Sequence, residues 1–319
     1  MSKLCVAVIG VGFWGRNHAR IFNELPDVEL LAVCDTDNAK AESVGDKYGV
    51  EAYNSSQELL KRKDLEAVSI CTWTTTHAAE AIGALESGKH VLVEKPLANT
   101  VKEARKIVSF ARNKEKHLMV GFIERFNPSV QRARDLLRKG DIGELVSATA
   151  KRVSAWPERI GDVGVVKDYA IHEIDIMRKI FEEDPATVYA KVGSLKHLKY
   201  EDYAQIMLTF ERGKTAFIEA NWLTPYKIRS LTLTGSEAII SLDYVTQQIT
   251  VETSEKTLKP RYEWLEPLRL ELQHFVKSII QDEEAEVTGI DGLKALIIAE
   301  AAIASSQENR AIGLKFEKT

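Results

Sequence analysis

Short apolar runs alternate with amphipathic stretches over the first 120 residues. Leu4–Ile9, Val28–Cys34, Ala67–Cys71, His90–Val93 and Leu118–Gly121 read as strands, several of them rich in β-branched residues. Between them Phe13–Leu25, Asn38–Tyr48, His77–Ser87 and Thr100–Asn113 repeat apolar positions at helical spacing, with Gly49 and Gly88 as stops. Strands separated by helical stretches of about 10 to 15 residues define right-handed βαβ units and hence a parallel sheet.

The rhythm changes near residue 121. A helix opened by Pro128 and closed by Gly140 leads into strand-like runs: Leu145–Val153, Val188–Val192, Tyr203–Phe210, Lys214–Trp222, Ile228–Thr234 and Ala238–Tyr244. "MLTFERGKTAFIEA" reads as a hairpin around Arg212-Gly213. The pattern predicts a mostly antiparallel sheet with a helix over 168–181 packed on it, and two final helices around Leu268–Ile280 and Ile290–Asn309. The expected class is α/β, with one domain over 1–121 and a second over 122–319 joined by a tight junction.

Composition adds exclusions. The chain has 319 residues, 45% apolar and 28% charged, enough for two cores of ordinary make-up. A net charge of −4 without a basic run argues against nucleic acid as a partner. No apolar stretch approaches a membrane span, and "KLCVAVIG" enters a strand with no export signal before it, so a cytoplasmic location is expected. Cys5, Cys34 and Cys71 each sit in an apolar run without a second ligand at usable spacing, so no metal site is expected.

Two stretches carry chemistry. "VAVIGVGFWG" places Gly10, Gly12 and Gly15 in GxGxxG spacing, after a strand and at the start of a helix. Gly10 would permit the tight turn, Gly12 the approach of a pyrophosphate, and Gly15 close packing of helix on strand. Asp35 ends the second strand twenty residues past Gly15. A carboxylate there accepts hydrogen bonds from ribose hydroxyls and repels a 2′-phosphate, which favours NAD over NADP in a Rossmann domain. Further on, "GKHVLVEKPLA" puts Lys95 at a strand's carboxyl end, where open α/β sheets bind ligands. A lysine before a proline is also an ordinary loop residue. In "KDYAIHEID", Asp168 and His172 lie one helical turn apart. They fit either the wet stripe of an amphipathic helix, together with Asp175, or a carboxylate orienting an imidazole that moves a proton.

The combination resembles the Gfo/Idh/MocA oxidoreductases. The matching pieces are "AVIGVGFWGRNHAR", "GKHVLVEKPLA", "GFIERFNPSV", "GVVKDYAIHEIDIM" and the ending "GLKALIIAEAAIASSQENRAI". The resemblance implies a Rossmann domain followed by an α/β domain with a large, mostly antiparallel open sheet, which commonly forms the interface of homodimers or homotetramers. It implies Lys95, Asp168 and His172 as the catalytic set. His172 would take the hydroxyl proton, Asp168 would hold the imidazole or the substrate, and Lys95 would stabilise the alkoxide or share the base role. Cofactor contacts are expected from Gly10, Gly12, Phe13, Trp14, Gly15, Asp35, Thr72, Trp73, Thr74, His77, Glu94, Lys95 and Pro96. Trp73 departs from the proline usual in the family, and either narrows the site or packs outward. His77 also has a packing or capping role open to it, and His18 reads as a helix-surface residue.

Arg125 and Asn127 are placed at the domain junction, as substrate contacts or as caps of the helix at Pro128. Arg152 and Arg159 read as surface residues or as binders of an anionic group. "RVSAWPERIGDVG", "IERFNPSV" and "ANWLTPYKIRSLTLTGSEAIISLDY" are similar to a branch described as UDP-N-acetylglucosamine 3-dehydrogenases. The expected activity is therefore oxidation of a ring carbinol of a sugar or nucleotide sugar by NAD. Inositol or free-aldose oxidation, reduction of an imine or conjugated double bond, and a non-catalytic dinucleotide-binding regulator are the alternatives.

Overall fold

The computed structural model of the chain describes residues 3–157 and 161–316. Two compact units emerge: the residues up to Phe122 together with Leu268–Leu293, and Ile123–Pro267 together with the residues from Lys294 onward.

The first unit is a six-stranded parallel sheet. Its strands are β1 (Leu4–Ile9), β2 (Val28–Cys34), β3 (Glu51–Tyr53), β4 (Ala67–Ile70), β5 (His90–Glu94) and β6 (Leu118–Gly121). The connecting helices are α1 (Phe13–Glu24), α2 (Asn38–Tyr48), α3 (Ser56–Leu59), α4 (Thr74–Glu86) and α5 (Val101–Asn113). The order β3-β2-β1-β4-β5-β6 puts the reversal of winding between β1 and β4, where a crevice opens beyond the strand ends. Residues on both faces of β1 and β4 are buried, which is why these strands read as near-continuous apolar runs. Helix ends follow local chemistry. Asp37 caps α2, Gly49 ends it with φ of 68°, and Thr100 with Glu103 forms a reciprocal capping box on α5. β3 and α3 are too short to have shown a period in the sequence, and α4 starts at Thr74 rather than at His77.

In the second unit a single 3₁₀ turn, Ile123–Phe126, precedes α6 (Pro128–Arg138), whose cap is Asn127. β7 (Leu145–Val153) follows, then a π-helical turn, Val166–Ala170, that runs directly into α7 (Ile171–Phe181). The remaining strands are β8 (Thr187–Gly193), β9 (Tyr203–Thr209), β10 (Thr215–Asn221), β11 (Ile228–Gly235), β12 (Ala238–Asp243), β13 (Ile249–Thr253) and β14 (Thr257–Leu258). α8 (Pro267–Gln281), α9 (Gly289–Glu308) and β15 (Ile312–Gly313) end the chain. The sheet is nine-stranded, in the order β14-β13-β12-β11-β7-β10-β9-β8-β15. It is antiparallel except for β7 beside β10. The β9–β10 hairpin turns through Arg212 and Gly213, at φ of 56° and 77°. β13 to β15 went unread in the sequence.

The sequence assigns everything after residue 121 to the second domain, yet Leu268–Leu293 belong to the first unit. The Val120 amide donates to the Val287 carbonyl at 3.4 Å. Gly292 leaves no room for a methyl against Val120 and Leu97. Backbone-close packing of this kind is invisible to periodicity. Among the described residues, no helix is long and apolar enough to cross a membrane.

Candidate active site

The glycine turn after β1 has the shape its spacing demands. Gly10 stands at φ of 86°, and a methyl there would lie 2.8 Å from the Cys71 carbonyl group. A methyl on Gly15 would collide with the Gly10 carbonyl, so helix and turn can close up only around glycine. A methyl on Gly12 would meet nothing within 4 Å. That open backbone begins α1 with no side-chain cap, leaving first-turn N–H groups for an anion. The residues thus fit a dinucleotide pyrophosphate. Asp35 braces the turn: one carboxylate oxygen accepts the Val11 amide at 2.9 Å, the other the Asp37 amide at 3.0 Å. Each oxygen keeps a second lone pair for a hydroxyl. Phe13 and Trp14, edge to face at 5.5 Å, present exposed rings beside this turn.

At the carboxyl ends of β4 and β5 lie Thr72, Trp73 and Thr74, and Glu94, Lys95 and Pro96. Trp73 is the N-cap residue of α4, with 43% of its surface exposed, and Thr74 is buried. The Lys95–Pro96 peptide is cis. The Glu94 carboxylate accepts the Lys95 amide at 3.1 Å. His77 is buried, its Nδ1 2.8 Å from the Pro96 carbonyl oxygen and its Nε2 3.3 Å from that of Thr72. His18 corrects the surface expectation, since it is fully buried. Its Nδ1 meets Ser69 Oγ at 2.8 Å and its Nε2 meets Glu94 Oε1 at 3.2 Å. Burial disfavours the imidazolium, but the Cys71 sulfur and the Glu94 carboxylate outweigh it, and His18 titrates well above the ordinary histidine range.

In the second unit Asp168 and His172 lie a turn apart across the junction of the π-helical turn and α7. π-turns of this kind recur at functional sites. The start is fixed from outside. Glu201 accepts the Val165 amide on its carbonyl at 2.9 Å and the Val166 amide on its side chain at 3.3 Å. Gly164 leaves the space the Glu201 carboxylate occupies, and a methyl there would push that side chain aside. The wet-stripe reading is not what the fold adopts. Asp168 is half-buried, and every residue from Ala170 to Arg178, His172 included, is buried.

What holds α7 is a set of buried charges that sequence reasoning missed or misassigned. Arg152, 1% exposed, donates from Nε to Glu173 at 2.6 Å and from Nη2 to Glu124 at 2.7 Å. The Tyr244 hydroxyl donates to the other Glu173 oxygen at 2.7 Å. Arg125 grips both Asp175 oxygens at 2.6 Å. Asn127 donates to Glu124 at 3.0 Å and to the Tyr244 carbonyl at 2.9 Å, while its oxygen caps α6. Arg152 and Arg125 are thus engaged with acids inside the unit, and the burial of Arg152 corrects its surface reading. Arg125 is held by Asp175, and Asn127 caps α6. Arg159 lies outside the described residues. Burial, with help from Glu124, raises the Glu173 carboxyl above its ordinary value against the pull of Arg152. Burial, Glu173 and Glu124 push the Tyr244 phenol up as well. The sequence signal available for Glu173 was its position: an acid inside "AIHEIDIM", between His172 and Ile174.

A parallel sheet wound β3-β2-β1-β4-β5-β6 with a glycine turn and a braced acid at its switch point defines a dinucleotide-binding oxidoreductase domain. Residues 4–122 match the model of the oxidoreductase family with an NAD-binding Rossmann fold, and residues 130–241 match the GFO/IDH/MocA C-terminal domain. The chain belongs to the GFO/IDH/MocA family of NAD-binding oxidoreductases. It is 30% identical to an inositol 2-dehydrogenase of Rhizobium meliloti over 96% of this chain and 98% of that one. Identity to a D-apiose dehydrogenase of Paraburkholderia graminis is 26%, over 97% of this chain and 89% of the relative. The solved UDP-N-acetylglucosamine 3-dehydrogenase of Acidithiobacillus ferrooxidans superposes with a TM-score of 0.88 at 25% identity, over 97% of this chain and 99% of that one.

Proposed function

We propose that this protein is an NAD-dependent dehydrogenase of a ring carbinol on a sugar-like substrate, with UDP-N-acetylglucosamine oxidised at C3 as the specific reading. The observation that carries the proposal is the Asp168–His172 pair, one turn apart at the head of a helix held by two buried ion pairs. NAD, when bound, accepts the hydride. His172 removes the hydroxyl proton, Asp168 orients the imidazole or the substrate and favours the imidazolium, and Lys95 supplies fixed positive charge to the developing alkoxide. The Asp35 carboxylate beside the glycine turn favours NAD over its 2′-phosphorylated form. Likeness to the Acidithiobacillus enzyme supports the nucleotide sugar, and identity to the Rhizobium enzyme supports a second reading, inositol oxidation.

The test is absorbance of reduced nicotinamide with NAD or NADP against UDP-sugars, inositols and free aldoses. Turnover of UDP-N-acetylglucosamine with NAD is expected. Oxidation of inositols or aldoses alone would move the substrate while keeping the chemistry. No turnover of any panel member by protein that binds NAD would overturn the proposal in favour of a regulator.

The same proposal includes self-association. Thr250, Ser241, Thr232, Thr149, Phe217, Met207 and Tyr189 lie in register as one row across the nine-stranded sheet. The row is uncharged, and Phe217 is 46% exposed on it. Ile239, on the same face, is 38% exposed. An open sheet face of this make-up fits a homodimer or homotetramer interface. Analytical ultracentrifugation should find an oligomer that Phe217→Glu dissociates; a monomeric parent protein would refute it.

A further inference from the structure

We propose that His18 and His77 are positioning residues that clamp the turn Glu94–Lys95–Pro96 from its two ends and so aim Lys95. The inference rests on Lys95 being the residue that acts on substrate.

A lysine side chain is a flexible four-carbon stem, and its ammonium is a useful fixed charge only where its backbone is immobile. Here both neighbours of Lys95 are tied down by buried imidazoles from different helices. On one side, His18 of α1 contacts Glu94 Oε1, and Glu94 Oε2 accepts the Lys95 amide. The carboxylate therefore links the imidazole to the backbone of the lysine. Ser69 of β4, at the far nitrogen, sets the angle of the His18 ring. Gly121 leaves the space in which the carboxylate sits, since a methyl there would come within 3.2 Å of Glu94 Oε2. On the other side, His77 of α4 reaches the Pro96 carbonyl at 2.8 Å and the Thr72 carbonyl at 3.3 Å. Carbonyl oxygens only accept, so the single N–H of a neutral ring goes to the nearer one, that of Pro96, and the other nitrogen faces the Thr72 carbonyl. His77 thereby fastens the residue after Lys95 to α4.

Burying two histidines costs solvation that apolar side chains of similar size would not. Both direct polar nitrogens to the two residues flanking Lys95. A helix surface or a cap would not require this convergence, and it places the motif histidine of "GRNHAR" and the histidine of "TTTHAAEA" in a single task.

Conservative and disruptive variants separate positioning from mere support. His18→Gln keeps a donor toward Glu94 and His77→Asn keeps one toward Pro96, whereas leucine at either position keeps none. The first readout is independent of turnover. Reductive ¹³C-methylation of the full chain labels the lysines, and Lys95→Met identifies the Lys95 resonance by its loss. That resonance should be shifted and broad in the parent protein and in the Gln and Asn variants. In the Leu variants it should collapse onto the narrow resonances of surface lysines. The second readout is kinetic, with the best substrate of the panel. The Leu variants should lose about 100-fold in kcat, the scale of a misplaced catalytic group, while NAD affinity changes little and the conservative variants recover most of the rate. His18→Leu placed on Lys95→Met should add almost no further loss, since both act through one group. Should leucine prevent folding, Glu94→Gln, isosteric and able to keep only one of the two contacts, should still lower kcat and move the Lys95 resonance. An unchanged resonance and unchanged kcat in folded Leu variants overturns the clamp. Full activity in Lys95→Met instead overturns the catalytic reading of Lys95, whatever the histidines do.

Discussion

Replacing His172 by alanine is expected to lower kcat by about a hundred- to ten-thousand-fold, the range over which a positioned general base acts, with NAD binding unchanged. The glycine turn and Asp35 belong to the first unit, and His172 to the second. Asp168→Asn should lower kcat too, and by less, because it removes the charge that favours the imidazolium but leaves a side chain able to hydrogen-bond. The pH profile is the sharper check. A base must be unprotonated to act, so kcat/KM should rise with pH through the titration of His172 and level off. In His172→Ala the acid limb should flatten. A variant that keeps its rate and its pH profile would remove the proton-abstraction mechanism. It would point instead to reduction of an imine or a conjugated double bond, which needs no base at this position.

The parallel sheet was legible because β1, β2, β4, β5 and β6 are buried strands separated by helices of clear period. The glycine turn was legible because its chemistry is local: a positive φ at Gly10 and an impossible methyl at Gly15 follow from residue type at fixed spacing. β3 and β13 to β15 are too short or too mixed to show a period. Long-range facts escaped for a different reason. Arg152 and Arg229 stand opposite each other on neighbouring strands, and only the fold shows that Glu124 and Glu173 come to Arg152 from other elements. His18 looked solvent-facing because its helix is amphipathic on average, while the acid and hydroxyl it meets lie 76 and 51 residues away. Spacing identifies candidate chemistry when the partners share one element. It fails when each partner arrives from a different strand.

Cutting Glu173 from the network should be the costliest single change to stability outside the glycine turn. Glu173 is fully buried, with Arg152 on one oxygen and the Tyr244 hydroxyl on the other. Glu173→Ala removes both acceptors at once. Arg152 is then left with Glu124 as its compensating carboxylate at contact, and a buried donor on Tyr244 loses its partner. Breaking a buried pair from one side costs about 3–5 kcal/mol, because the remaining charge stays desolvated. In calorimetry that is a drop in melting midpoint of roughly 10 °C. Glu173→Gln should cost much less. Its carbonyl can still accept from Arg152 and its amide can donate to the phenol oxygen, so neither buried group loses its hydrogen bond. The same contrast should appear in catalysis, since Glu173 is the residue after His172 and its ion pair is one of the two buried pairs that hold α7. Alanine should lower kcat by more than glutamine does. An alanine variant within about 1 kcal/mol of the parent would mean that water or Glu124 takes over the charge of Arg152. The helix bearing His172 would then be held by the Arg125–Asp175 pair, with its bonds at 2.6 Å, and not by this network.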